Sequence, residues 1–321
     1  MIKIFMSTMV LLTLLSGGTF ASNSFAPPEG KTLLLVGQDR DTISRYVRST
    51  HSVPAGTMFY TSIQLMQGLD SSNEYGSGPQ DAYWLLRSYP KSVIQVGLYM
   101  VNGLDETVAG QYDDNLKKLA QWIKQAHRPV YLRIGYEFDN PENRYAPDKY
   151  QLAFRYVVDF LRKQHVKNTA YVWHSYCVEK PDLELMDWYP GDDYVDWFAV
   201  SLYGLPAQLW SAADFLKIAH KHQKPFMIAE STTCKLYSVR AKIDWFNHVF
   251  QFIKDNKVEA FCYINSNWDV MPMFKNDHWG DARVEQYPEI KRLWLDEINQ
   301  DRYLKASTDL FQLLGYGREK S

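Results

Sequence analysis

The chain has 321 residues, 46% of them hydrophobic and 15% aromatic, which is ample for one large core. A formal net charge of -2, with no run of lysine and arginine, excludes an electrostatic nucleic-acid binder, which needs a clustered basic face. Three cysteines, Cys177, Cys234 and Cys262, are too few for a disulfide framework to hold the fold.

Residues Met1 to Ala21 carry one lysine, an apolar stretch from Met9 to Leu15 and a small-residue approach over Gly17-Gly18-Thr19-Phe20-Ala21. That is the form of a cleavable secretory signal, and the stretch is too short to span a bilayer. The expectation is an exported protein, periplasmic or extracellular, that starts near Ser22 and has no membrane partner after cleavage. A leader over residues 22–31 then precedes the first strand.

From there apolar runs alternate with amphipathic stretches to residue 298, without a low-complexity linker or charge block. Strands are predicted at Thr32 to Gly37, Thr57 to Ser62, Val93 to Met100, Val130 to Tyr136, Ala170 to His174, Asp196 to Leu202, Pro225 to Ala229 and Glu259 to Ile264. Between them lie helix faces: Leu116, Leu119 and Ile123; Leu152, Tyr156 and Phe160; and Ile243, Phe246, Val249, Phe250 and Ile253. Residues 63–91, rich in Gly and Ser, read as a long loop followed by a helix over Asp81 to Ser88. The last helix of the repeat starts at Pro288, and a C-terminal extension over 299–321 carries a short helix around Leu310 to Leu314.

Eight near-continuous apolar strands separated by helices predict an α/β fold, a single (β/α)8 TIM barrel over residues 32–298. An open doubly wound sheet is the competing architecture. It usually carries a glycine-rich phosphate turn after its first strand, and Gly37-Gln-Asp-Arg offers none.

Two segments carry the chemistry: Arg133-Ile-Gly-Tyr-Glu137-Phe-Asp and Ile228-Ala-Glu230-Ser-Thr. Each puts a glutamate at the C-terminal end of a strand, about three strand-plus-helix units apart, so both acids open onto the mouth where such barrels keep their active sites. Two facing carboxylates suit glycosidic cleavage, which needs one proton donor and one anion near the anomeric carbon. Strand parity puts Arg133, Gly135 and Glu137 on one face, with the guanidinium beneath Glu137, and puts Ser201 and Tyr203 on one face of the sixth strand. An Arg–Glu pair inside a barrel is also an ordinary structural ion pair, and that alternative stays open.

Aromatic residues recur in the strand-end register: Tyr99, Tyr136, Trp173, Tyr203 and Trp268. Sugar rings stack flat C–H faces on such side chains; taken singly each is more often an ordinary packing residue, and the shared register favours the sugar-facing reading most for Trp268 and Tyr203. Asp39, His174 and Asp139 lie at or past strand ends, placed to bond sugar hydroxyls or to cap the following helix. Cys177 and Cys234 follow strand ends and are a possible bridge; three unpaired thiols is the alternative.

These residues carry a family resemblance. Pro129-Val-Tyr-Leu-Arg133-Ile-Gly-Tyr-Glu137, the stretch from Trp188 to Asp196 leading into Ser201-Leu-Tyr203-Gly, and Lys224-Pro-Phe-Met-Ile-Ala-Glu230 resemble glycoside hydrolase family 26. The resemblance runs from Pro129 to Trp268 and implies a retaining (β/α)8 enzyme with Glu137 as acid/base, Glu230 as nucleophile and Tyr203 as the partner of that nucleophile. Arg133 matches the family's arginine. The chain departs from the family at Tyr136, where a histidine is usual, and over Asn140 to Tyr145, where a tryptophan cluster is usual, so mannan specificity is not implied.

Other classes leave weaker traces. His220 and His222, two apart on a helix, do not share a face, no His/Cys cluster has zinc spacing, and no Gly-x-Ser-x-Gly elbow is present. The expectation is a monomeric enzyme without metal or cofactor that acts on a polysaccharide or oligosaccharide. A non-catalytic glycan-binding barrel is the alternative.

Overall fold

The computed structural model describes residues 25–177, 184–204 and 206–317. The expected signal segment lies outside them. Eight parallel strands close into a barrel: β1 (Thr32–Gly37), β2 (Gly56–Ser62), β3 (Val93–Tyr99), β4 (Val130–Ile134), β5 (Thr169–Ser175), β6 (Trp197–Leu202), β7 (Phe226–Ser231) and β8 (Ala260–Ile264), with β8 hydrogen-bonded back to β1. The predicted (β/α)8 barrel is the observed architecture.

Helices cover the outside: α1 (Arg40–Thr50), α2 (Ala82–Ser88), α3 (Leu104–Val108), α4 (Asp113–Ala126), α5 (Pro147–Lys163), α6 (Pro206–Lys221), α7 (Val239–Asn256) and α8 (Pro288–Ile298). Their starts are written locally. Asp39, Asp81 and Ser238 accept backbone N–H bonds as N-caps of α1, α2 and α7, and Pro147 and Pro288 open α5 and α8 where no N–H partner is needed.

Alternation along each strand sorts the core into two layers. Leu33, Leu35, Met58, Tyr131, Val172 and Trp197 fill the barrel interior. Leu34, Val36, Phe59, Leu132, Trp173 and Phe198 face the helices. Trp294 of α8 is fully buried in that outer layer, edge-on to Tyr46 at 6.0 Å, and donates its indole N–H to the Tyr46 hydroxyl at 3.0 Å. A large aromatic with its one polar atom satisfied adds apolar burial without a desolvation penalty.

The C-terminal segment closes the opposite end from the strand C-termini. A two-residue strand, β9 (Tyr303–Leu304), pairs with β1 at Thr32, and a short helix, α9 (Leu310–Leu313), buries Leu310 in the barrel-interior cluster with Phe25. Filling this floor leaves the other end as the mouth. All three cysteines are buried free thiols, so Cys177 and Cys234 stand unpaired.

Candidate active site

The mouth holds a cavity of about 840 Å³, lined by both glutamates and by Tyr60, Tyr99, Tyr136 and Tyr203. Two departures from regular strand geometry put the glutamates there. Strand β4 ends at Ile134, and Gly135 and Glu137 both take left-handed backbone, φ 54° each, which turns the chain across the mouth. A Cβ at Gly135 would also press on the Tyr150 ring at 2.9 Å. Left-handed backbone at a glutamate is uncommon and costs free energy, a pattern that clusters at functional sites.

On β7, Met227 and Ala229 face the barrel interior, so simple alternation would turn Glu230 outward toward the helices. The register against β6 shifts between Val200 and Ser201, pairing Val200 with Ile228 but Ser201 with Glu230. The irregularity re-aims Glu230 into the mouth beside Ser201, as bulges next to active sites do.

Arg133 is fully buried and donates to Glu230 Oε1, rather than lying under Glu137 as parity suggested. Its guanidinium sits 5.2 Å from the ring centres of both Tyr60 and Tyr136. Gly97 on β3 makes room for this sandwich, since a Cβ there would lie 2.5 Å from the Tyr60 ring and 2.8 Å from Arg133 Nη2. Burial works against the charge, yet the Glu230 carboxylate and the Tyr60 phenol outweigh it and hold Arg133 above its usual range.

Tyr203 Oη connects the two acids. It donates to Glu230 Oε2 and lies 3.0 Å from Glu137 Oε1. Burial, then the two carboxylates, keep this phenol protonated far above its usual range. Glu137 Oε1 also accepts from Ser201 Oγ at 2.6 Å, and Oε2 accepts from Asn140 Nδ2 at 3.1 Å. Burial and then the Glu230 charge push Glu137 up to about 7, against the opposing effect of those hydrogen bonds. The site therefore pairs an acid that holds its proton near neutrality with a second carboxylate fixed against a guanidinium.

Of the expected sugar-facing residues, Tyr99, Tyr136, Tyr203 and Trp268 line the cavity. Trp268 is held there by an N–H bond to Thr232 Oγ1 at 3.0 Å and by edge contact with Trp279 at 5.0 Å. Three expectations are corrected. Trp173 is buried on the outer face of β5, stacked on Phe138 at 4.4 Å, because it neighbours the inward-facing His174 and adjacent strand residues point opposite ways. His174 is also fully buried, beneath the cavity floor between Arg133 and Ser201. Asp39 is buried as the N-cap of α1, accepting from Asp41 and Thr42 N–H at 2.9 and 3.0 Å, and does not line the cavity.

The cavity also contains residues not expected from sequence. Tyr60 shares the inward parity of Met58 on β2, a signal that was available. Trp279 and Tyr176 come from loops without periodicity. Among the described residues no group of three His, Cys, Asp or Glu is placed to hold a metal ion.

The family model for Glycosyl hydrolase family 26 matches residues 101–277. A beta-1,3-xylanase of Alcaligenes sp. is 31% identical over 345 residues, covering 97% of this chain and 73% of the relative. The beta-1,3-xylanase TXYA of Vibrio sp. is 32% identical, covering 90% of this chain and 69% of the relative. Among solved structures, GH26C from Muricauda sp. has a TM-score of 0.64 at 15% identity, covering 88% of this chain and 90% of that one. An endo-beta-1,4-mannanase of Cellulomonas fimi has a TM-score of 0.64 at 19% identity, covering 88% and 74%. Identities this low show a shared fold and nothing finer.

Proposed function

The chain belongs to glycosyl hydrolase family 26 and is a glycoside hydrolase acting on β-glycosidic bonds; from that premise we propose a retaining β-1,3-xylanase in which Glu230 is the nucleophile and Glu137 the acid/base. The observation that carries the mechanism is the shared Tyr203 hydroxyl. Two carboxylate oxygens that bond one hydroxyl oxygen lie within about 6 Å of each other. So close an approach of the nearest oxygens favours the roughly 5 to 5.5 Å carboxyl spacing of retaining enzymes over the roughly 6.5 to 9.5 Å that an inverting enzyme leaves for water.

In the first step Glu230 attacks the anomeric carbon while protonated Glu137 gives its proton to the leaving oxygen. Glu137, now anionic, takes a proton from water in the second step, and the hydroxide equivalent displaces Glu230. Forming the covalent intermediate removes the Glu230 charge, which had raised Glu137, so the acid becomes a readier anion at the stage where it must act as base.

The substrate assignment rests on the two relatives above 30% identity, both beta-1,3-xylanases. The loops agree with a departure from mannan, because the segment after Glu137 carries Asn140 to Tyr145 and not a tryptophan cluster. Proton NMR of fresh β-1,3-xylan hydrolysate is expected to show the β-anomer of the new reducing end first. An α-anomer first would overturn retention. Hydrolysis of mannan but not of β-1,3-xylan would overturn the substrate, and binding without cleavage would leave a glycan-binding barrel.

Export is part of the same proposal, supported by the charged, apolar and small-residue order of residues 1–21. Expression in a Gram-negative host is expected to yield periplasmic protein whose N-terminus lies near Ser22. Full-length protein retained in the cytoplasm would refute it.

A further inference from the structure

His174 has no part in the two-carboxylate mechanism, yet it is fully buried between the supports of both acids. Its Nδ1 lies 3.3 Å from Arg133 Nη1, and its Nε2 lies 3.0 Å from Ser201 Oγ. A guanidinium only donates, so Nδ1 presents a lone pair and the single ring hydrogen is on Nε2. A second ring proton is opposed by burial and then by the Arg133 charge, which hold the imidazole well below its usual range.

The direction of the next bond follows. Nε2–H donates to Ser201 Oγ, so the serine's own hydrogen is free to go to Glu137 Oε1 at 2.6 Å, shorter than its 3.4 Å approach to Tyr203 Oη. An oxygen that accepts so short a bond is the carbonyl-like oxygen of a carboxylic acid, since the hydroxyl oxygen is the poorer acceptor. Without that donor, Oε1 could take the proton and pass it to Tyr203 Oη, which already donates to Glu230. A proton spent there never reaches a leaving oxygen. Oε2 has the Asn140 amide as its partner.

We propose that His174 is a positioning residue: through Ser201 it fixes the direction of the hydrogen bond into Glu137 and confines the transferable proton of that acid to Oε2. The relay runs Arg133 to His174 to Ser201 to Glu137, so the nucleophile's cation also sets the orientation of the acid. This deepens the retaining reading and rests on Glu137 being the acid/base.

The test is a set of variants assayed on β-1,3-xylan over pH. Ser201→Ala is expected to lower kcat at least about tenfold with KM little changed, the loss of one hydrogen bond to the negative charge that develops on Glu137 as its proton leaves. It should also raise the basic limb of kcat/KM by about half a unit to one unit, because a donor to the anion is gone. The other titratable groups near Glu137 are Glu230, Tyr203, Tyr136, Tyr145, Tyr176 and Cys177. Burial raises the four phenols and the thiol well clear of neutrality, so they do not produce this limb.

His174→Phe should match Ser201→Ala, and the double variant should be no worse than either. His174→Gln, whose amide can accept from Arg133 and donate to Ser201, should recover most of the lost rate. A basic limb unmoved in Ser201→Ala, additive losses, or Gln as poor as Phe would each overturn the relay. The tautomer is checked without any substitution: the ¹⁵N spectrum of the wild-type imidazole should show hydrogen on Nε2, and hydrogen on Nδ1 refutes the proposal even if the variants fail to fold. Full activity in Glu137→Gln, by contrast, would sink the retaining reading itself.

Discussion

Glu137→Gln is expected to lower kcat/KM on β-1,3-xylan by about 10²- to 10⁴-fold, the usual worth of general acid–base assistance and roughly 3–5 kcal/mol of barrier. The loss should depend on the leaving group. From a dinitrophenyl xylobioside the phenolate departs as a stable anion without a proton, so the first step on that substrate should survive the substitution. The second step then lacks its base, and the covalent intermediate should accumulate as a burst of phenolate followed by slow turnover. Azide attacks without needing deprotonation and should restore turnover, giving a glycosyl azide of retained configuration. A uniform loss on both substrates with no azide effect would mean that Glu137 is not the acid/base.

The same substitution has a readout in stability. Glu137 is raised from 4.5 to about 7 by burial and the Glu230 charge. Its contribution is therefore fully present below about pH 4.5 and is lost as pH rises through about 7. Wild type should lose about 3 kcal/mol relative to Glu137→Gln across that window, from the size of the shift. Urea unfolding of both proteins at pH 4.5 and pH 8 measures it, and parallel behaviour would show that the group is not strained in this way. The wild-type rate should fall on the same basic limb, because the acid form is the one that reacts.

How much of this was readable from the residues depends on periodicity. Every predicted strand begins and ends within about two residues of the observed one, because parallel strands buried on both faces leave uninterrupted apolar runs. Glu137 and Glu230 of the cavity lining are legible for the same reason: each directly follows or ends such a run. What the runs do not carry is direction. Alternation would have sent Glu230 toward the helices, and only the register shift beside Ser201 turns it inward. Trp173 and His174, neighbours on β5, were both expected at the mouth, although alternation allows one of them at most; the inward one, His174, ends beneath the floor. Tyr60 was recoverable from its spacing with Met58. Trp279 sits in an aperiodic loop whose path depends on the packed barrel below it, so no local pattern announces it.

Arg133→Met is expected to destabilise the protein by about 3–5 kcal/mol, the cost of leaving one member of a buried ion pair without its partner. The argument is specific to this site. The guanidinium has no exposure to solvent, is stacked between Tyr60 and Tyr136, and is the charged partner of Glu230. Methionine fills much of the same volume, so the loss reports charge and hydrogen bonding more than a cavity. Glu230→Gln makes the complementary defect, a buried cation facing a neutral amide. If the two are a true pair, Arg133→Met with Glu230→Gln should be less destabilised than the sum of the single variants by about 1–3 kcal/mol, as contacting residues in one network show. Arg133→Lys should not substitute, since a compact, strongly hydrated ammonium cannot replace the flat guanidinium held between Tyr60 and Tyr136 that places Nη1 on both Glu230 and His174. Urea unfolding of the four-member cycle decides the point. Simple additivity would show that Glu230 is held by Tyr203 and the cavity wall, and that the buried arginine answers to the tyrosine rings on either side of it.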